Sequence, residues 1–123
     1  MAQKAKTRPA ACPPKTGIER RPLIGVDQAN SVERTFQLLA DATRLRLLHA
    51  LVRAGEMCVS DLARALEMKP QAVSNQLQRL VDRGILASRR NGNYIHYRII
   101  DPCVVGLLDL GMCLTEDARN RKS

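Results

Sequence analysis

Four cysteines are the side chains best suited to chemistry in this chain of 123 residues. They are Cys12, Cys58, Cys103 and Cys113. No apolar segment of a secretory signal follows the basic N-terminus, so we expect a cytoplasmic protein with reduced thiols. Thiolates bind soft metal ions and react with oxidants. The cysteines therefore predict metal binding or redox chemistry rather than structural disulfides.

The spacing of Cys103 and Cys113 excludes a shared ion within one protomer. Ten positions apart on a predicted helix, they are separated by about 15 Å along its axis and by about 80° around it. In an antiparallel helix pair of a dimer, Cys103 of one chain can meet Cys113 of the other. The alternative is two interface cysteines that pack as small hydrophobic residues.

The overall charge points to an anionic partner. The chain has 20 Lys and Arg against 12 Asp and Glu, a net charge of +8, which is typical of a domain that binds nucleic acid. One Phe and two Tyr are too few for a protein that stacks single-stranded bases. A hydrophobic content of 45% supports a real core, and no apolar run is long enough to span a membrane.

Apolar residues at helical spacing predict four helices in the first two thirds of the chain. Residues 1–27 form a basic, flexible N-terminal arm, 28–117 the folded domain and 118–123 a tail. The helices run from Asp27 to about Leu39, from Asp41 to a stop at Gly55, over a short segment near Ser60, and from Pro70 to Arg83, before Gly84.

The hydrophobic period then changes from 3.6 to 2. Ile85–Arg90 and Tyr94–Ile99 flank Asn91-Gly92-Asn93, a strong hairpin signal. A last helix from Asp101-Pro102 has an apolar seam with little core left to cover, so we expect a dimer partner. The order predicts a mainly α (α+β) winged helix-turn-helix, with residues 60–83 as the helix pair and 86–99 as the wing.

The fourth helix and the wing supply candidate contacts to double-stranded DNA. Amide side chains can pair with adenine and arginine with guanine or phosphate. An ordinary solvated helix face is the alternative, but the turn, the charge and the wing favour DNA. The candidates are Gln71, Ser74, Asn75, Gln78 and Arg79 on the helix, with Arg89 and Arg90 on the wing.

Four blocks of sequence resemble the ArsR/SmtB family of metal-sensing repressors. They are LADATRLRLLHAL (39–51), EMCVSDLA (56–63), QAVSNQLQRLVDRGIL (71–86) and NGNYIHYRI (91–99). The resemblance covers about residues 28–116. It implies a homodimeric winged-helix repressor that is paired through its first and last helices and leaves its operator when metal binds.

The resemblance also implies where metal binds. The family motif Glu-Leu-Cys-Val-Cys-Asp-Leu reads Glu56-Met57-Cys58-Val59-Ser60-Asp61-Leu62 here, so serine replaces the second cysteine. One branch of the family completes this site with cysteines of the N-terminal arm, which makes Cys12 with Cys58 the leading ligand pair. The alternative is that neither residue binds metal. Cys58 would then be a small buried hydrophobic residue, and Cys12 a tail thiol without a ligand role.

A second family site lies on the last helix, as Asp-x-His, ten residues, His, two residues, then Glu or His. Here Asp101 and Cys103 keep the opening spacing, and Cys113 and Glu116 keep the closing one. Nine residues rather than ten separate the two halves, so this site resembles the family pattern less closely.

The sequence therefore predicts a repressor released from DNA by cadmium, lead, zinc, mercury or arsenite. Two alternatives stay open: a thiol-redox or sulfide-responsive repressor of the same fold, and a basic module that binds DNA without sequence preference. No nucleophile–base pair or phosphate-binding glycine loop is present, so we do not expect an enzyme. His49 and His96 have no companion at metal spacing.

Overall fold

A computed structural model describes residues 16–122 of the chain. Within these residues a short 3-10 turn, Ile18–Arg20, precedes five α-helices and three strands. The helices are α1 (Val26–Leu39), α2 (Ala42–Ala54), α3 (Val59–Leu66), α4 (Pro70–Asp82) and α5 (Pro102–Lys122). The strands are β1 (Met57–Cys58), β2 (Leu86–Asn91) and β3 (Tyr94–Ile99).

Most helix boundaries lie where local chemistry predicts them. The Asp41 carboxylate accepts a hydrogen bond from the backbone N–H of Arg44 at 3.0 Å and caps α2. Gly55, at φ 86°, ends that helix in a conformation that favours glycine. Pro70 is the first residue of α4, where its missing N–H costs nothing. Helix α3 begins at Val59, near Ser60 as predicted, with Cys58 as its N-cap residue.

The wing is the predicted hairpin, extended by one strand. β2 and β3 pair antiparallel from Leu86↔Ile99 to Asn91↔Tyr94, and Gly92 turns between them at φ 66°. β1 pairs with the other side of β3, which gives the order β1-β3-β2. This two-residue strand was not predicted.

The core lies where the helix-turn-helix meets the base of the wing. Fully buried leucines of α2, α3 and α4 pack together, and the hairpin adds Leu86, Tyr97 and Ile99. Ile95 alternates onto the same strand face as Tyr97 and Ile99, but it is 38% exposed because it lies beyond the core, close to the turn. The fold is a mainly α winged helix-turn-helix, as predicted.

Helices α1 and α5 leave apolar surface uncovered. Phe36 on α1 is 52% exposed, and Leu110 and Leu114 on α5 are 66% and 65% exposed. Between α1, α2 and α5 lies a groove of about 680 Å³, lined mainly by apolar side chains. Across residues 16–122, no helix combines the length and the apolar character needed to cross a membrane.

Candidate functional site

The second helix of the helix-turn-helix, α4, presents a row of polar side chains to solvent. Gln71 donates to Asn75 at 3.0 Å, and Gln78 donates to Asp82 at 2.9 Å. Arg79 is exposed and Ser74 is half-buried on the same helix. The opposite face is anchored by Val73, Leu77 and Leu80, each fully buried. The five predicted DNA-contacting residues of α4 therefore lie on or beside its solvent face.

The wing carries an ion pair that links it to the segment before α3. Arg89 on β2 donates from Nε and Nη2 to the two carboxylate oxygens of Glu56, both at 2.8 Å. These hydrogen bonds lower the pKa of Glu56 and raise that of Arg89. The other predicted wing residue, Arg90, is exposed and donates to the carbonyl of Gly92 at 3.5 Å.

Cys58 is buried beneath the edge of the wing. It is 6% exposed, and its pairing with His96 places it on the sheet face away from Tyr97. Its Sγ lies 3.4 Å from Oγ of Ser60. Ser60 stands where the family motif has its second cysteine, so the structure brings together one thiol and one hydroxyl.

The two cysteines of α5 differ in surroundings. Cys113 is an exposed free thiol whose Sγ contacts Oδ2 of Asp117 at 3.8 Å. Cys103, near the start of the helix, takes part in a disulfide, contrary to the expectation that all the thiols are reduced. The carboxylate of Asp101 accepts from the Cys103 backbone N–H at 2.9 Å, so it serves as a helix cap.

The predicted cysteine pairs are not assembled in the part of one protomer that is described. Between residues 16 and 122, no three His, Cys, Asp or Glu side chains are grouped so that they could hold a metal ion. Cys12 lies outside the described residues. The pairing of Cys12 with Cys58 and that of Cys103 with a second protomer both stay predictions.

Sequence reasoning missed the role of Glu56. In the sequence Glu56 stands out only as part of a motif, whereas in the structure its carboxylate accepts hydrogen bonds from a wing arginine 33 positions away. The missed strand β1 has the same cause, because it exists only through pairing with β3. No periodicity over a short window can signal such a contact.

Comparison with known proteins identifies the family. Residues 41–88 match the model of the arsR family of bacterial regulatory proteins. The chain is 58% identical to the AntR antimony-specific transcriptional repressor, with a TM-score of 0.77 over 89% of this chain and 99% of that structure. It is also similar to a homodimeric winged helix-turn-helix DNA-binding domain from Mycobacterium bovis, at 29% identity and a TM-score of 0.65, covering 79% of this chain and 91% of that one.

A curated relative extends the same conclusion. The transcriptional repressor SmtB homolog of Synechocystis is 40% identical over 69% of this chain, and the match spans 64% of that repressor's length. The segment that matches the family model, residues 41–88, contains both helices of the helix-turn-helix. The chain belongs to the arsR family of DNA-binding transcriptional regulators and is not an enzyme.

Proposed function

We propose that this regulator is a homodimeric repressor that leaves its operator when cysteine thiolates bind a thiophilic metal or metalloid ion. Its similarity to AntR, an antimony-specific repressor, supports a metal effector. The homodimeric Mycobacterium bovis relative supports the dimer. So does the apolar surface that α1 and α5 leave exposed, because single protomers rarely expose large contiguous apolar patches.

The observation that carries the ligand assignment is a palindromic stripe on α5. Cys103, Gly106, Leu110 and Cys113 follow one another at spacings of three, four and three residues, so they share one helix face. This spacing is the same in both chain directions. An antiparallel, two-fold pair of α5 helices would therefore place Cys103 opposite the partner's Cys113, at both ends of the stripe.

The glycine in this stripe supports close packing by a second helix. Glycine inside a helix costs about 1 kcal/mol relative to alanine. A Cβ added at Gly106 would meet nothing within 4 Å in the protomer, so the fold of one chain does not require glycine there. A partner helix that approaches the backbone at Gly106 would explain the glycine. Leu110 of the partner subunit would then occupy the space that a side chain at position 106 would otherwise fill.

The chemistry of this pair suits soft ions. Two thiolates favour cadmium, lead, zinc, mercury or arsenite over magnesium or manganese. The similarity to AntR adds antimonite, which shares the trivalent, thiophilic chemistry of arsenite. Because Cys103 takes part in a disulfide, its sulfur has to be reduced before it can act as a thiolate ligand.

Cys12 with Cys58 is the second candidate pair for the same function. An arm thiol closing on Cys58 would have to reach a side chain that is only 6% exposed. The hydroxyl of Ser60, a weaker ligand for soft ions than a thiolate, occupies the position beside it. Burial and the missing second cysteine make this pair less favourable than the stripe on α5.

Release would follow from how the dimer holds its two α4 helices. Repressors of this architecture place both helices in major grooves about 34 Å apart. An ion that bridges the paired α5 helices favours one arrangement of the protomers over another. A difference of a few kcal/mol between the ion's affinities for the two arrangements is enough to change operator occupancy.

Single Cys→Ser variants test the proposal. Operator complexes of reduced protein are titrated anaerobically with antimonite, arsenite and Cd²⁺, and DNA release is followed by fluorescence anisotropy. We expect C103S and C113S to bind DNA as tightly as wild type without responding to the ion, whereas C58S still responds. If C58S no longer released DNA on addition of the ion while C113S still did, the ligands would be Cys12 and Cys58 instead. No response of wild type to any thiophilic ion would overturn the proposal.

The disulfide at Cys103 favours a second candidate function, a thiol-redox repressor. Oxidation would then change operator affinity without metal. Treating the metal-free complex with peroxide or a persulfide donor separates the two functions. Release by oxidant alone, with no effect of metal on the reduced protein, would favour redox sensing.

A further inference from the structure

Arg44 is the buried charged residue of the part of the chain that is described. It lies in the first turn of α2, and 9% of its surface is exposed. Its nearest carboxylate oxygen, on Asp41, is 3.8 Å from Nη1. An ion pair this long, to a carboxylate whose side chain is 36% exposed, adds little to stability and does not explain why the guanidinium is buried. Its contacts therefore need another explanation.

The guanidinium of Arg44 joins three helices. Nε donates to the backbone carbonyl of Leu38, in the last turn of α1. Nη1 donates to Oε1 of Gln76, on α4, at 2.9 Å. The side chain itself extends from α2, whose cap Asp41 accepts from the Arg44 backbone N–H. Arg44 thus connects the end of α1 directly to the second helix of the helix-turn-helix.

Gln76 sits where it can fix the rotation of α4 about its own axis. At about 100° per residue it lies at the border between the buried face of Val73 and Leu80 and the solvent face of Gln71 and Asn75. Apolar packing holds α4 against the core but is not directional. A hydrogen bond at the border of the buried face is directional, so it selects one rotation.

Such a rotation matters for reading bases. A side-chain tip about 6 Å from the helix axis moves about 2 Å when the helix turns by 20°, and a hydrogen bond to a base edge tolerates only a few tenths of an ångström. Long basic side chains that reach phosphates can adjust to the same movement. Loss of the rotation would therefore lower sequence-specific binding more than non-specific binding.

We propose that Arg44 and Gln76 form a positioning pair that ties α1 to α4 and sets the orientation in which α4 meets the bases. Neither residue has to touch DNA for this role. The inference rests on α4 being the recognition helix of the fold and is independent of which ion, if any, releases the repressor.

The test compares R44M, Q76L and the double variant, each measured on operator and on random-sequence duplex over a range of salt. We expect operator affinity to fall roughly tenfold, the loss of one or two base contacts. Affinity for random DNA and the salt slope should stay as in wild type, because no phosphate contact is removed. The double variant should lose no more than the worse single variant, since both changes break one link.

R46M is the matched control, because Arg46 is on the same helix and makes one long bond, 3.5 Å, to the carbonyl of Leu66. It should keep its specificity. A fall in thermal stability with an unchanged ratio of operator to random affinity would overturn the proposal, and so would a reduced salt slope. If R44M does not fold, Q76L alone decides, because Gln76 is only half-buried.

Discussion

The contact between Glu56 and Arg89 changes the role expected of a wing arginine. An arginine on a wing predicts a phosphate contact, yet both nitrogen atoms of Arg89 that face Glu56 are bonded to its carboxylate at 2.8 Å. The pair is partly exposed, with 49% of the Arg89 side chain accessible, and exposed pairs add little stability. A phosphate can therefore compete with Glu56 for this guanidinium.

Replacing Glu56 by Gln tests that competition. E56Q removes the charge that holds Arg89, so we expect tighter DNA binding at low salt and a steeper salt dependence, by about one phosphate contact per protomer. The measurement is operator affinity against salt concentration. E67Q is the control, because it removes an equal charge from the α3–α4 turn. Unchanged or weaker binding by E56Q would contradict the competition and assign Glu56 to holding the wing in place.

At the scale of elements, the sequence predicts what is determined locally. Asp41, Gly55, Pro70 and the Asn91-Gly92 turn each specify backbone geometry through their own side chains or lack of one, and the elements begin or end there. The exceptions are set by distant residues. Strand β1 depends on β3, and the same pairing places Cys58 on the sheet face of His96.

The candidate site was predictable to a similar extent. Helical periodicity was enough to find the solvent face of α4. The four cysteines were candidate ligands from their residue type alone. The link from Arg44 to Gln76 was not predictable, because 32 residues separate its ends and a buried arginine looks like a surface one in the sequence. The helix that would pair with the α5 stripe belongs to another chain, so local sequence patterns could not predict that contact either.

Helix α5 gives a direct test of the proposed dimer. Leu110 is 66% exposed in the protomer, so L110K should leave the fold intact while it places a charge in the paired stripe. We expect monomers by analytical ultracentrifugation at concentrations where wild type is dimeric. D109K is the control, because its side chain projects about 100° away around the helix. A dimeric L110K would contradict pairing through this face.

On the scale of the whole molecule, the positive charge and the apolar surface serve different interactions. The net charge of +8 attracts DNA, whereas α1 and α5 offer the apolar surface through which two protomers would be held together. A site at the α5 pair lies between the two DNA-binding units rather than inside either one. An ion bound there can act on their relative arrangement without touching DNA.

In the proposed repressor each effector site is built from two protomers, so mixing subunits of two variants separates a shared site from one within a single protomer. Homodimers of C103S and of C113S lack every Cys103–Cys113 pair. A mixed dimer of the two variants keeps one intact pair, between Cys113 of the C103S protomer and Cys103 of the C113S protomer. We predict that reduced mixed dimers, isolated with two different affinity tags, bind antimonite at about half the wild-type stoichiometry, while both homodimers bind none. Mixed dimers that bind no ion, or homodimers that bind it fully, would contradict the shared site.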